Sequence, residues 1–513
     1  MSNNFSLLSP QNTLFSSAPE SKFSIEFNEA LQLFGKYPDI EKSITGDQDA
    51  HARKKKALRL KDKMWERCQY EKRYAKPLFH DNDAEANIQE EDLLLSDGCP
   101  RMKPVMVYAF LWIRGLLGGS PKNQAVQTML LESRTFELFL RNCGAIMPGA
   151  STVIDNINLI SKKTMRVISK AQLAQITSEG LDDFEQCVMD STSSKGNSER
   201  PTESNMIARI SARIYRCGKE LTHFGIIGMH ERNFPKLIKE MDVIAKNIAL
   251  DCGKKGSITR RKTNYNKLIS KATSARKKFE AEMVKIDQRV ASIELKPSQK
   301  IMLIDEVNDI KEDIKNLQKV MDCARRRVMK GEKVEASDKV MSLSDADVAC
   351  IVKGQRDTVF GYKPQLARSE KGFVSVLVLP QGNAADSGQL DTIINTHISN
   401  TQVLPKTVST DDGYANKAIR DKWLEDGIEV FSISGAKGKK ITSEEDWTSD
   451  IYRNARNNRS AVESLMFCIK FGYNFGRNVR RGIEAVRQEM MEKVLAYNFA
   501  RMVTIRQRQQ QDA

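Results

Sequence analysis

Two short apolar runs in this chain end in aspartate, and they lie more than two hundred residues apart. The first is Cys187-Val188-Met189, closed by Asp190. The second is PKTVST, closed by Asp411 and Asp412. A short apolar run with a polar exit suits a buried strand that presents a carboxylate at its end. Between and after these runs the hydrophobic period keeps changing. The stretch from Thr358 to Pro380 alternates and predicts a hairpin: one strand to about Arg368, a turn through Ser369–Gly372 and a return strand FVSVLVL. The run GIEVFSIS predicts a further strand, and residues from about 450 to 507 read as helix, with no proline after Pro405. The order is strand, long helical insert, hairpin, helix, strand, helix, strand, helix. It predicts an α/β fold with a mixed sheet flanked by helices, because the hairpin makes one part antiparallel.

The remaining segments read as helical. MKPVMVYAFLWIRGLLGG is apolar enough for a buried helix, and Ser151 or Thr152 is expected to cap the next one, with Ile154, Ile157, Leu159 and Ile160 inward. Such short helices suit a DNA-binding unit, and equally an inert scaffold. Residues 51–76 are densely basic with Trp65, Tyr70 and Tyr74 interleaved, which fits a DNA-contacting helix or a solvated face. In 230–335, Phe279, Met283, Ile286, Val290 and Ile293 recur at helical spacing. After Lys296-Pro297-Ser298 the pattern resumes at Ile304, Val307, Ile310, Ile314, Leu317 and Met321, which predicts two antiparallel helices on a narrow seam. The expected organisation is a basic, partly disordered region over 1–95, polar and mixed over 1–50 and poorly ordered at its start, and a helical DNA-binding domain over 96–182. The core takes 183–204 and 341–503, the helical insertion 205–340 and a tail 504–513.

Lys and Arg total 81 against 66 Asp and Glu, a formal charge of +15 and a pI near 9.2. Such an excess favours a polyanionic partner, since each neutralised phosphate releases counterions. The nine cysteines form no CxxC pair and only five histidines are present, so a structural zinc site is not expected. Free thiols in a reducing cytoplasm fit instead. No apolar run approaches the ~20 residues of a membrane span, and the first residues lack the pattern of a secretory signal.

Asp190, Asp411 and Glu463 stand out by position. Hard divalent cations take oxygen ligands, and two Mg²⁺ about 4 Å apart can activate an oxygen nucleophile and stabilise a leaving oxygen at phosphorus. Glu463 lies in RSAVESLMFCIK, with Arg459 four residues before it and Lys470 seven after, on one helical face. That stripe can join a metal ligand to phosphate-holding cations, or be an ion-paired solvated face. Asp412 competes with Asp411, and the two point in opposite directions if the strand runs through both.

Four passages resemble the DDE transposases of bacterial insertion sequences, in particular the ISNCY group. They are MDSTSSKGNSERPTES, SDKVMSLSDADVACIVKGQRDTVFGYKPQL, LPQGNAADSGQL and STDDGYAN. In the last pattern the catalytic Asp stands two residues before the Gly, which selects Asp411. The late helix is similar to an Arg-x3-Glu-x6-Lys signature, filled by Arg459, Glu463 and Lys470. Two positions depart from the family: Arg456 stands where related groups often have Tyr, and Tyr362 where His is usual. The resemblance implies a ribonuclease-H-like core with Asp190, Asp411 and Glu463 holding two Mg²⁺ (or Mn²⁺), Asp190 bridging both. It implies DNA contacts by Arg459, Lys470, Arg477, Arg480 and Arg481, recognition of terminal inverted repeats, and a homodimer or larger oligomer joining two DNA ends. A bacterial cytoplasmic, nucleoid-associated protein is then expected. A nuclease of the same fold, a DNA-binding protein without catalysis and, from residues 277–330 alone, a coiled-coil scaffold stay open as alternatives.

Overall fold

The computed structural model describes residues 21–74, 101–119, 130, 133–198, 202–226, 233–335, 338–352 and 358–512. The first 20 residues and the Lys-Gly-x-Arg-Asp stretch at 353–357 lie outside them. The chain divides into two compact units, one of residues 1–51, 97–198 and 347–513, the other of 52–96 and 199–346. Among the described residues no helix is long and apolar enough to cross a membrane.

Among the described residues the first unit holds all the strands: β1 Gln186–Ser191, β2 Ser194–Lys195, β3 Ala349–Ile351, β4 Val359–Tyr362, β5 Gln365–Arg368, β6 Val374–Val378, β7 Thr407–Thr410 and β8 Val430–Ile433. Five of them form a mixed sheet in the order β6-β5-β1-β7-β8. Strand β1 runs antiparallel to β5 and parallel to β7, which is parallel to β8. This is a ribonuclease-H-like sheet. Cys187, Met189, Ala367, Val376, Val408, Phe431 and Ile433 pack with Leu390, Ile393 and Ile394 of the helix Leu390–Thr401. A central strand covered on both faces must be continuously apolar, which explains the run before Asp190.

The expected hairpin is partly corrected. Its first arm is two strands in two sheets: β4 joins β2 and β3, and β5 joins β1 and β6. Pro364 lies between them and has no N–H to give a ladder, while its carbonyl accepts the Thr192 amide at 3.0 Å. Gly361 lets β2 approach closely, since a Cβ there would stand 2.0 Å from the Ser194 carbonyl oxygen.

Residues 22–36 and 38–50, polar and mixed in sequence, are helical. Helix Lys22–Lys36 is capped by Ser21 and buries Phe27, Ala30, Leu31 and Phe34. Phe27 packs on Trp112 and Phe139. Helix Pro38–Tyr74 follows and carries most of the basic 51–76 stretch. The helix near Thr152 runs Ala150–Asn158 with Gly149 at its cap. It buries Val153 and Ile157, while Ile154 faces solvent, contrary to expectation. Val153 and Ile157, four residues apart, share the buried face, and Ile154 falls beside it.

In the second unit the two-helix seam widens into a bundle of Glu203–Glu220, Asn233–Leu250, Ser257–Ser292 and Pro297–Ala324. Tyr265, Leu268, Ala272 and Ala275 extend the apolar stripe before Phe279, giving more surface than one partner helix can cover. Phe234 of the added helix stacks on Phe279, centroids 5.1 Å apart. Leu303 is buried and Ile304 exposed, the reverse of the predicted seam.

Candidate active site

The site grows from the pairing of β1 with β7. Val188 stands opposite Ser409 in a parallel ladder. Two residues further along each strand come Asp190 and Asp411, so the same register sets the two carboxylates side by side at one end of the sheet. Asp190 is the penultimate residue of β1 and is buried. Strand β7 ends at Thr410, leaving Asp411 just beyond it. Each carboxylate uses one oxygen locally: Asp190 Oδ1 accepts the Ser191 amide at 2.6 Å, and Asp411 Oδ1 the Gly413 amide at 2.9 Å.

Tyr414 marks where these groups meet. Its ring is fully buried and its hydroxyl donates to Gln365 Oε1. Burial drives the phenol well above its ordinary pKa, and the charges of Asp386, Asp190 and Asp411 push it the same way. The charges of three carboxylates therefore act on one buried hydroxyl.

Asp386 was not among the expected site residues. Its Oδ1 accepts from Lys363 Nζ at 2.8 Å and Gln365 Nε2 at 2.8 Å, and its Oδ2 from Ser191 Oγ at 3.2 Å. The signal for it is the Gly-Asn-x-x-Asp-Ser passage, in which Asp386 is the aspartate. With it, all four passages noted above send residues to one place: Asp190 and Ser191, Lys363 and Gln365, Asp386, and Asp411 with Tyr414.

Asp412 serves elsewhere. Its Oδ1 accepts the amides of Lys437 at 2.7 Å and Gly438 at 3.0 Å, capping the helix Ala436–Ile441. Gly435 makes room for it, since a Cβ there would lie 2.7 Å from Asp412 Cβ.

Glu463 lies at the surface, paired with Arg459. It sits in the first turn of helix Ala461–Gly472, whose Val462, Leu465, Met466 and Ile469 are buried, and its own side chain is 64% exposed. Arg459 Nη2 donates to it at 2.8 Å. Among the described residues no three His, Cys, Asp or Glu side chains are grouped to hold a metal ion. The strand-end pair nevertheless suits a hard divalent cation, because adjacent carboxylates offer oxygen donors alone.

The expected DNA-binding cations divide. Arg477 and Arg481 are exposed, and Arg481 Nε donates to the Asn197 carbonyl at 3.4 Å. Lys470 is half-buried, its stem along Gly476. Arg480 corrects the expectation: its side chain is 15% exposed and reaches inward to Glu492 Oε2 at 2.6 Å. Glu492 also binds Arg114 at 2.7 Å. Beside it Glu489 accepts the amides of Val479 and Arg480 and the Lys493 ammonium. Lys493 donates to the carbonyls of Asn474 and Arg477, both at 3.0 Å. This buried ionic group braces the loop before the last helix.

Residues 347–499 match the family described as Transposase DDE domain. This part of the chain, which includes Lys363, Asp386, Asp411 and Glu463, is a transposase DDE domain, of a polynucleotidyl-transferase family. No curated protein and no solved structure gave a significant match.

Proposed function

We propose that the chain is the transposase of a bacterial insertion sequence, of the ISNCY-like kind. It would bind the inverted repeats at the element's ends, cut the DNA and join the freed 3′ hydroxyl to a target, acting as a homo-oligomer on two ends. The observation that carries this reading is the shared register of Asp190 and Asp411, on a sheet whose later strands lie in the matched domain.

Asp190 and Asp411 would hold divalent cations, Mg²⁺ in the first instance, with Glu463 as the third donor. The chemistry such ions supply when bound is activation of an oxygen nucleophile and stabilisation of the leaving oxygen. Everything else falls to the chain. To serve as that donor Glu463 would have to give up Arg459, an exchange that costs little because an exposed pair is worth only about 0–1 kcal/mol. Arg459, once released, can hold a phosphate, with Lys470, Arg477 and Arg481 extending the basic surface.

Incubating the purified chain with pre-cut labelled ends, a target plasmid and Mg²⁺ tests this. Joined product is expected. Hydrolysis without any joining would make the protein a nuclease, and an Asp411→Asn variant that cleaves like the parent would remove the catalytic assignment.

A further inference from the structure

We propose that Asp386, held by Lys363, is a positioning residue that fixes the Asp190–Asp411 pair for cation binding. This rests on the reading of Asp190 and Asp411 as cation ligands.

Asp386 arrives from the loop after β6, far in sequence from Asp190, and touches the support of each ligand. Toward Asp190 the path is two hydrogen bonds: Ser191 Oγ donates to Asp386 Oδ2, and the Ser191 amide donates to Asp190 Oδ1. Toward Asp411 the link is Gly413, whose amide holds Asp411. A Cβ on Gly413 would stand 3.0 Å from Asp411 Oδ1 and 3.4 Å from Asp386 Oδ2, so the three groups are in close packing. Gln365 completes the frame by donating to Asp386 while accepting the Tyr414 hydroxyl. Both oxygens of Asp386 are thus engaged by donors of the chain, which suits a brace better than a cation ligand.

Lys363 makes this brace tolerable. A third carboxylate beside two others is repelled, and the ammonium at 2.8 Å offsets that charge. The side chains of Lys363 and Asp386 are only 12% and 15% exposed, so solvent screens the pair weakly. Lys363 is itself anchored by the Ala384 carbonyl at 3.1 Å, next to the Asp386 loop.

The test is Mn²⁺ binding to the full chain without DNA, by calorimetry. Asp386→Asn should keep the parent's circular dichroism and bind Mn²⁺ about tenfold more weakly, as loss of a ligand's supporting contact does. Lys363→Met should weaken binding likewise, and Lys363→Arg should restore it. Ser191→Ala, which cuts the relay and leaves every carboxylate in place, should also weaken binding and serves if Asp386→Asn does not fold. Parent-like affinity in Asp386→Asn, or in Ser191→Ala in its stead, would overturn the proposal. So would tighter binding in Lys363→Met, which would make Asp386 a ligand. Asp190→Asn and Asp411→Asn are the controls. If they keep Mn²⁺ binding, the cation-ligand reading itself fails, and if they lose it while Asp386→Asn does not, only the positioning role fails.

Discussion

The Asp412 carboxylate accepts the Lys437 amide at 2.7 Å, while its neighbour Asp411 holds the Gly413 amide at 2.9 Å beside Asp386 and Tyr414. Two adjacent aspartates thus have separate duties, one in a helix cap and one in the acidic cluster. Asp412→Ala should lower stability by about 1 kcal/mol, the usual worth of a cap, and leave cleavage within about tenfold. Asp411→Asn should keep the fold and lose cleavage by a factor on the order of 10³–10⁴, as when an essential catalytic group is removed. Thermal melts and cleavage of labelled inverted-repeat DNA separate the two. The reverse pattern would move the catalytic position to Asp412.

Lys493 and Glu489 form an ion pair at 2.7 Å with neither side chain exposed. Burial lowers the Lys493 pKa and Glu489 opposes that shift, so the ammonium depends on its partner. Lys493→Met strands the buried Glu489 carboxylate and should cost roughly 3–5 kcal/mol, whereas a Lys493→Met/Glu489→Leu double variant should recover part of the loss. Urea unfolding of the three proteins measures both. Equal losses in the single and double variants would show that packing, and not the stranded charge, sets the cost.

How much of this was legible in sequence depended on how far each residue's partner lay. Asp190 and Asp411 announced themselves locally, because a strand covered on both faces needs an unbroken apolar run and its end is where that need stops. Pro364 was visible too, but the alternation continues across it, so only the pairing of β4 and β5 with different strands reveals the break. Asp386 lies in a motif, yet its role exists only through Lys363, Gln365 and Ser191, the last 195 residues away. For Arg480 the sequence carries the charge and not the direction, which Glu492 twelve residues later decides. In the insert, spacing indicated two helices and most of the seam between them, but how many helices share the core is a tertiary property.

The same division predicts how DNA binding responds to salt. Arg477 and Arg481 are exposed, so each can neutralise a phosphate and release counterions. Arg477→Ala and Arg481→Ala should each reduce the slope of log affinity against log salt by about 1. Arg480→Ala should leave that slope unchanged and lower the melting temperature, since its guanidinium serves Glu492. Anisotropy titrations over a salt series give the slopes. A slope change in Arg480→Ala alone would place that side chain on DNA.

His397 sets an acid limit on the core. It is fully buried in helix Leu390–Thr401. Its Nε2–H donates to the Phe184 carbonyl at 3.0 Å, so Nδ1 is the acceptor for Ser375 Oγ at 2.8 Å. Burial lowers its pKa to about 4, partly opposed by the Phe184 hydrogen bond. The unfolded chain protonates the same ring near its ordinary 6.5. Above that pH both states are neutral and the ring contributes no pH dependence. Below it the unfolded state takes up the proton first, so stability falls from about pH 6.5 to about 4, by up to roughly 3 kcal/mol. Between pH 6.5 and 5, above most carboxylate pKa values, the parent should lose about 2 kcal/mol and a His397→Gln variant much less. Urea unfolding at those two pH values isolates the ring. An undiminished loss in the variant would assign it to carboxylates instead, because a glutamine at 397 has no proton to gain.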